Sequence, residues 1–285
     1  GSTEMSRQQS QRLARIIITT IAALVVIPVM LIIFSIVYNG LSALSWEFLT
    51  QPPRNGMTEG GIMPAILGTI ILTVGTAVAA IPLGIGAAIY LAEYAGDNFL
   101  TRTIRLAIVN LAGIPSIVYG LFGLGMFVLF FQFGTSILAG SLTLGLMTLP
   151  IVISTAEEAI LSVPQEFRTV SYSVGATRWQ TIRHQVLPNA TPGIITGIIL
   201  GLSRAIGETA PILFTVAAFY LPDLPSSIFD QTMALPYHLY VIATQVPGMP
   251  LEIQYGTALV LLLFTLSLTF VATMIRTTMR RRREW

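Results

Sequence analysis

Six apolar runs, each long enough to cross a lipid bilayer as a helix, constrain this chain more than any other feature. They lie near residues 16–38, 61–92, 103–131, 136–156, 190–220 and 256–276. A spanning helix needs roughly 20 apolar residues. In hydrocarbon the backbone must satisfy its own polar groups, which a helix does within one segment. The expected fold is therefore an all-α integral membrane protein with six transmembrane helices. Composition agrees: 10% of the 285 residues are charged, against roughly 25% in soluble domains. Gly1 and Ser2, ahead of Met5, read as an expression remnant, with the natural start expected near Met5. The first run follows Arg7, Arg12 and Arg15. It exceeds the 7–15 apolar residues of a signal peptide, so an uncleaved helix is expected.

Arginine sets the orientation. Arg102 and Arg105 fall between runs two and three, Arg168, Arg178 and Arg183 between runs four and five, and Arg276 with Arg280 to Arg283 at the end. With the three N-terminal arginines, these thirteen of fifteen lie on one side of a six-span topology. The positive-inside rule makes that side cytoplasmic, with both termini inside. The expected organisation is a cytoplasmic segment 1–15, a six-helix transmembrane domain 16–276 and an Arg-rich cytoplasmic tail 277–285. Within the domain, 157–189 is the longest cytoplasmic connection and 221–255 a long extracytoplasmic loop.

Every basic residue is arginine. A phosphate-binding P-loop needs a lysine to reach the terminal phosphates, so if ATP drives this protein another chain binds it. The chain has no cysteine, which removes disulfides and thiolate metal sites. The arginines flank apolar segments rather than forming a polar face, so membrane orientation explains the pI near 9.1 better than nucleic acid does. No G-x-S-x-G elbow or H-E-x-x-H pair occurs, and no catalytic residues are assigned. His184 and His238 fall on opposite sides of the membrane and cannot share a metal; each is expected at a surface or interface. Glu157 and Glu158 are adjacent on a helix and face different ways, so they read as a solvated helix end. No internal repeat stands out.

The connection 157–189 reads as two short helices. Ser162 and Gln165 have capping-box spacing, and Pro164 suits a first turn. Val163, Phe167, Val170 and Val174 then form one apolar stripe, and Gly175 suits a helix stop. Thr177 and Gln180 repeat the box. Trp179, Ile182 and Val186 make a second short apolar face, and Pro188 is expected to break the backbone before run five. Two readings stand at this point: a hairpin resting on the membrane surface, or an element that docks its apolar face into a partner's groove.

The run E157-E-A-I-L-S-V-P-Q-E-F-R-T-V-S-Y-S-V-G-A-T-R-W-Q-T-I-R-H-Q-V-L-P188 resembles the cytoplasmic coupling segment of bacterial ABC importer permeases. Gly175 and the Leu187-Pro188 ending fit that family's pattern. Thr169, Val170 and Ser171 replace its E-A-A stretch, and Gln185 replaces its isoleucine. S-V-P at 162–164, G-A-T-R-W-Q-T-I at 175–182, L-S-R-A-I-G-E-T-A-P at 202–211 and G-G-I-M-P-A-I-L-G-T at 60–69 make the chain look most like the A-type permeases of phosphate-specific uptake systems.

The resemblance implies a type I ABC importer permease-like fold in a bacterial inner membrane. It implies ATPase coupling through Gln165, Glu166, Phe167, Val170, Ser171, Val174, Gly175, Ala176 and Thr177. It also implies four kinds of companion: a second homologous permease, two copies of an ATP-binding subunit that hold ATP and Mg, an extracytoplasmic phosphate-binding protein, and the lipid bilayer. The chain itself would need no cofactor or metal.

Run five carries Arg204 and Glu208, expected near the middle of a 190–220 helix. A central charge there costs roughly 2.5–3.5 kcal/mol on insertion scales. Spaced i and i+4, the two can neutralise each other, or Arg204 can meet an oxyanion in a pathway with Glu208 orienting it. Gly193, Gly197, Gly201 and Ala205 form a small-residue stripe that invites close helix contact. Loop 221–255 reads either as a docking surface for a delivery protein or as a plain connector. The rivals to an ATP-driven phosphate permease are a permease for sulfate or molybdate, a stand-alone secondary transporter or channel, and a membrane enzyme.

Overall fold

The computed structural model describes residues 2–281, with side chains described from 9 to 278. Arg7 and Arg280 to Arg283, part of the charge pattern, lie outside the described side chains. The principal helices are α1 (Ser2–Gly40), α2 (Met63–Tyr94), α3 (Phe99–Ala112), α4 (Ser116–Phe130), α5 (Ile137–Leu161), α6 (Gln165–Ser173), α7 (Arg178–Ile206), α8 (Leu235–Thr244) and α9 (Leu251–Arg281). Five of them, α1, α2, α5, α7 and α9, are long and apolar enough to cross a bilayer.

The run 103–131 is not one straight helix. It divides into α3 and α4, bent by 104°. Helix α3 closes on Gly113, whose N–H reaches the Asn110 carbonyl at 3.1 Å. Pro115 then has no N–H to offer a continuing helix, and its ring disfavours helical geometry at Ile114.

Helix α5 is the axis of the bundle and its most enclosed span, whereas α1 lies on the outside against α9. Two glycine-rich seams set the packing on α5. Gly84 and Gly145 let α2 come close, since a Cβ at either would press on Val152 or Ala79. The stripe Gly193–Gly197–Gly201 does the same for α7: a Cβ would collide with Ala159, Thr155 and Thr148. That stripe therefore serves contact within the chain, the van der Waals approach on which membrane helices depend.

Two expectations about α7 are overturned. Pro188 does not break the backbone. The chain passes through a π-turn at Ile182–Val186 and runs on as one helix to Ile206, the wider turn accommodating a residue without a donor. The helix then stops well short of 220. Gly207 caps it, and a short helix, Ala210–Leu213, follows with Pro211 in its first turn.

Loop 221–255 is not a plain connector. Its carbonyls at Asp230 and Ile228 accept the Ile137 and Leu138 N–H groups, both at 2.9 Å, while the Ser136 hydroxyl accepts from Ala139 at 3.2 Å. These bonds satisfy the exposed donors that begin any helix. Thr69 Oγ1 accepts the Leu235 N–H at 2.8 Å, tying the loop to α2. Asp230 accepts from Ser226 N, Ser226 Oγ and Ser227 N at 2.8–2.9 Å, bonds that hold its carboxyl below the usual carboxylate range. His238, expected at a surface or interface, is instead buried within the chain at 2% exposure. Its Nδ1 has no partner among the described residues, and burial pushes its pKa down to about 4.

Two outcomes follow from this packing. Gly197→Val drives a branched side chain into Thr155 and should cost about 1–3 kcal/mol, read as a lower unfolding midpoint in detergent. For His238, the unfolded state binds a proton near pH 6.5 and the folded state only near 4. Its contribution to stability is therefore full above about pH 6.5 and lost as pH falls toward 4. His238→Leu should flatten that part of the stability–pH curve.

Candidate functional site

Helix α6 is amphipathic in an unusual sense: it buries Arg168 while exposing Glu166, Val170 and, at its C-cap, Val174. Arg168 is 7% exposed and Ser171 9%, while Val170 is 66% and Val174 82% exposed. The helix begins at Gln165, with Pro164 as its N-cap. The Ser162 box does not form, because α5 runs on to Leu161 and the Ser162 hydroxyl turns back to the Ala159 carbonyl at 2.8 Å. Glu166 sits in the first turn, where an acid suits the helix dipole. The helix ends before Gly175, which takes φ +83°, the left-handed conformation glycine adopts without a Cβ penalty. Thr177 then caps α7 with Gln180 in the expected reciprocal box.

Buried Arg168 is the centre of a polar knot. Its Nε and Nη2 donate to Glu93 Oε1 at 3.1 and 2.6 Å, Nη1 to the Val163 carbonyl at 2.7 Å and Nη2 to the Ile160 carbonyl at 3.0 Å. One guanidinium thus joins the end of α2, the last carbonyls of α5 and helix α6. Arg178 adds a bond to the Glu93 carbonyl and lies over the Tyr94 ring at 4.9 Å. Arg105 donates to the Leu91 carbonyl at 3.0 Å and meets Glu157 at 2.8 Å. Glu157 is accordingly not a solvated helix end; only Glu158 is exposed. The Ser171 and Thr181 hydroxyls pair at 2.8 Å and fasten α6 to α7. Both members of the Glu93–Arg168 pair are less than a tenth exposed, and removing one partner of such a pair typically costs about 3–5 kcal/mol.

The outward side of α6 forms an open groove of about 470 Å³, lined by Glu166, Phe167, Val170, Ser171, Val174 and Gln185. Five of the expected coupling residues, Glu166, Phe167, Val170, Ser171 and Val174, therefore share this groove, with Ser171 on its floor. Gly175 and Thr177 are exposed and Ala176 half-buried just beyond it in sequence, whereas Gln165 opens onto a neighbouring pocket with Glu93, Arg168, Tyr172 and Arg178. The second apolar face divides: Ile182 and Val186 are buried, whereas Trp179 is half exposed.

Arg204 and Glu208 lie at the broken end of α7 rather than in mid-helix. Arg204 is in the last turn, where a cation is favoured by the helix dipole, and its Nε meets Glu208 Oε1 at 3.4 Å. Arg204 is 40% exposed in this chain and Glu208 18%. Behind Glu208, a cavity bounded by Thr69, Thr73, Thr76 and Ile212 holds about 10 Å³, room for no more than one water. The three threonine hydroxyls donate to carbonyls one turn back, at 2.7–2.8 Å, so their protons are committed. Arg204 is left as the charged donor at this point, facing away from the enclosed side. No group of three or more His, Asp or Glu side chains that could hold a metal ion occurs among the described residues.

Glu93 and Arg168 went unassigned in the sequence because they are 75 positions apart. The available signal was a carboxylate just past an apolar run, between Tyr90 and Tyr94, opposite a basic connection.

Comparison with known proteins adds findings of three kinds. A family model described as "Binding-protein-dependent transport system inner membrane component" matches residues 80–284. YqgI of Bacillus subtilis (strain 168), a probable ABC transporter permease protein, is 34% identical over 95% of this chain and 98% of its own length. The phosphate transport system permease protein PstA 1 of Mycobacterium tuberculosis (strain H37Rv) is 35% identical over 90% of this chain and 84% of its own. Among solved structures, a bacterial ABC transporter involved in importing the acidic polysaccharide alginate superposes with TM-score 0.66 at 13% identity, covering 95% of this chain and 96% of that one. An inward-facing MetNI methionine ABC transporter gives 0.61 at 16% identity over 76% and 97%. These last two bear on the fold alone.

Gly175→Ala isolates a backbone effect, since a Cβ there meets nothing within 4 Å. It should cost about 1–2 kcal/mol through the left-handed conformation alone, read as a lower unfolding midpoint with helix content unchanged.

Proposed function

We propose that this chain, which belongs to the family of binding-protein-dependent transport system inner membrane components, is the subunit of an ATP-driven ABC importer that forms half of a phosphate pathway. Membership makes it a multi-pass membrane permease subunit of an ABC importer. The finer reading is that it pairs with a second homologous permease, rests on two ATPase subunits that hold ATP and Mg, and receives phosphate from an extracytoplasmic binding protein. The chain makes and breaks no covalent bond itself. Its N- and C-termini are cytoplasmic, and its membrane domain runs from about 16 to 276.

The observation that carries the reading is the inverted helix α6. A hairpin lying on a membrane would turn valines to lipid and charge to water. Here the Arg168 charge is consumed inside the protein by directional bonds, and Val170 and Val174 are held with exposed Glu166 beside a groove of about 470 Å³. That geometry fits a helix-in-groove contact with a protein partner. The ATPase pair is the partner, and its closure on ATP moves α6 and the spans attached to it. Phosphate as cargo draws support from the relatives named as phosphate transport permeases, at 33–35% identity over about nine-tenths of this chain. Arg204 supplies an oxyanion contact, its guanidinium suited to bidentate phosphate recognition. Glu208 orients it and tempers its charge. Because the space behind Glu208 is nearly closed, the phosphate lies between Arg204 and the second permease.

The test is reconstitution of all four components in liposomes with ATP inside or outside. Phosphate uptake should require ATP and the binding protein, and should resist competition by sulfate and molybdate. Arg204→Ala should lower uptake at least about tenfold, matching the roughly 1.5–3 kcal/mol of a hydrogen bond to a charged group, with complex assembly unchanged. Uptake by this chain alone, without ATPase, would overturn the reading.

A further inference from the structure

Helix α6 has a second property that docking does not explain: the way its inner face is fixed. An amphipathic helix is ordinarily held by apolar contact, which is non-directional and lets a helix slide or roll. The inner face of α6 has such a contact at Phe167, and beside it carries Arg168 and the Ser171–Thr181 hydroxyl pair. A planar guanidinium offers five donors in a fixed fork, and four of its bonds here go to three different segments. Two end on the same carboxylate oxygen of Glu93, and one on the Ile160 carbonyl at the end of α5. Glu93 itself lies in a π-turn at Tyr90–Tyr94, a local widening that recurs at functional positions, and its own carbonyl accepts from Arg178 at the start of α7. Buried ion pairs are weak sources of net stability, and their best-attested use is to fix register. The Glu93 carboxylate is the only acidic side chain among the described residues that reaches Arg168.

We propose that Glu93 is the positioning residue of energy coupling: by fixing the Arg168 fork, it makes helix α6 and the cytoplasmic ends of α2 and α5 move as one body. This inference rests on the proposed docking of α6 to an ATPase, and it assigns a role to a residue outside both the docking surface and the Arg204–Glu208 pair. Without the carboxylate, α6 still docks, because its outward valines are untouched. It then turns or slides under the partner's stroke, and the stroke no longer reaches α2 and α5. ATP hydrolysis becomes disconnected from transport.

The experiment uses the complete importer, with this chain, second permease, ATPase and binding protein, in liposomes. The absence of native cysteine in this chain allows two spin labels here, at exposed Ser173 on α6 and exposed Val78 on α2. In the parent chain the distance between labels should be single and equal in the nucleotide-free and ATP-trapped complexes. In Glu93→Gln it should differ between the two states or broaden. Phosphate transported per ATP should fall at least about tenfold, within the roughly 5- to 150-fold span of allosteric coupling, while ATPase binding and basal hydrolysis persist. Glu93→Asp should recover part of the ratio.

Because a lone buried charge destabilises the fold, the double variant Glu93→Met with Arg168→Met provides a second measurement. It replaces the pair by apolar bulk, so it should assemble yet remain uncoupled. A parent distance that changes between states, or a Glu93→Gln importer with the parent transport-to-ATP ratio, overturns this inference while leaving ATP-driven uptake intact. A parent complex that shows no ATP-dependent uptake counts instead against the function proposed above.

Discussion

A charge buried in an apolar bundle must be met by directional partners, and the rest of this structure follows from how that rule is obeyed at Arg168. Its guanidinium has one carboxylate and two helix-end carbonyls around it. Those bonds determine which side of α6 faces the bundle, and so which side remains for contact. The apolar stripe of the connection divides: Val163 is buried and Phe167 packs partly against the core, whereas Val170 and Val174 are turned outward. Arg105 with Glu157, and Arg178 with the Glu93 carbonyl, extend the same rule across the ends of α2, α3, α5 and α7.

The opposite half of the molecule obeys the rule with backbone groups. Helix α7 stops at Ile206, well before the apolar run ends near 220. Irregular backbone within a membrane protein is tolerated where protein encloses it or a cavity is lined. The N–H groups of residues 215–217 donate to the Ile212 carbonyl, the Thr215 and Val216 carbonyls accept from 136 and 232, and the Ala218 N–H donates to 232, while the loop beyond supplies the acceptors for the start of α5. The break leaves the C-terminal end of α7 open, and Arg204 stands where its charge and the helix dipole are complementary. Arg204 pairs with Glu208 there and keeps 40% of its side chain exposed in this chain. The glycine seams at 84, 145, 193, 197 and 201 bring the three helices close enough for this arrangement to be rigid.

Much of this was legible in the sequence where the signal is local. Apolar runs gave the helices that cross; Thr177 with Gln180 gave the cap of α7; Gly175 gave the stop of α6; and the small-residue stripe gave a close helix contact. The misreadings share a cause in tertiary context. Ser162 has the spacing of a cap, but the preceding helix extends over it and takes its hydroxyl. Pro188 has the chemistry of a breaker, but a π-turn absorbs it. Gly113 and Pro115 had the chemistry of a break within an apolar run that length alone reads as one span. Arg204 and Glu208 were recognised as a pair, yet the stop at Gly207 that sets their surroundings depends on packing around 210–218. The Glu93–Arg168 pair lies beyond any local pattern, because its members come from segments 75 positions apart. The family resemblance, carried by the motifs at 162–164, 175–182 and 202–211, agrees with the family to which the chain belongs.

The proposed function requires the outward face of α6 to be the surface that meets the ATPase. Amide hydrogen exchange along this chain, with and without its ATP-binding partner in the assembled importer, tests that directly. New protection should concentrate at 165–177 and around Gln185, with the span interiors unchanged. Protection that appears elsewhere while 165–177 exchanges as in the free chain would contradict the account.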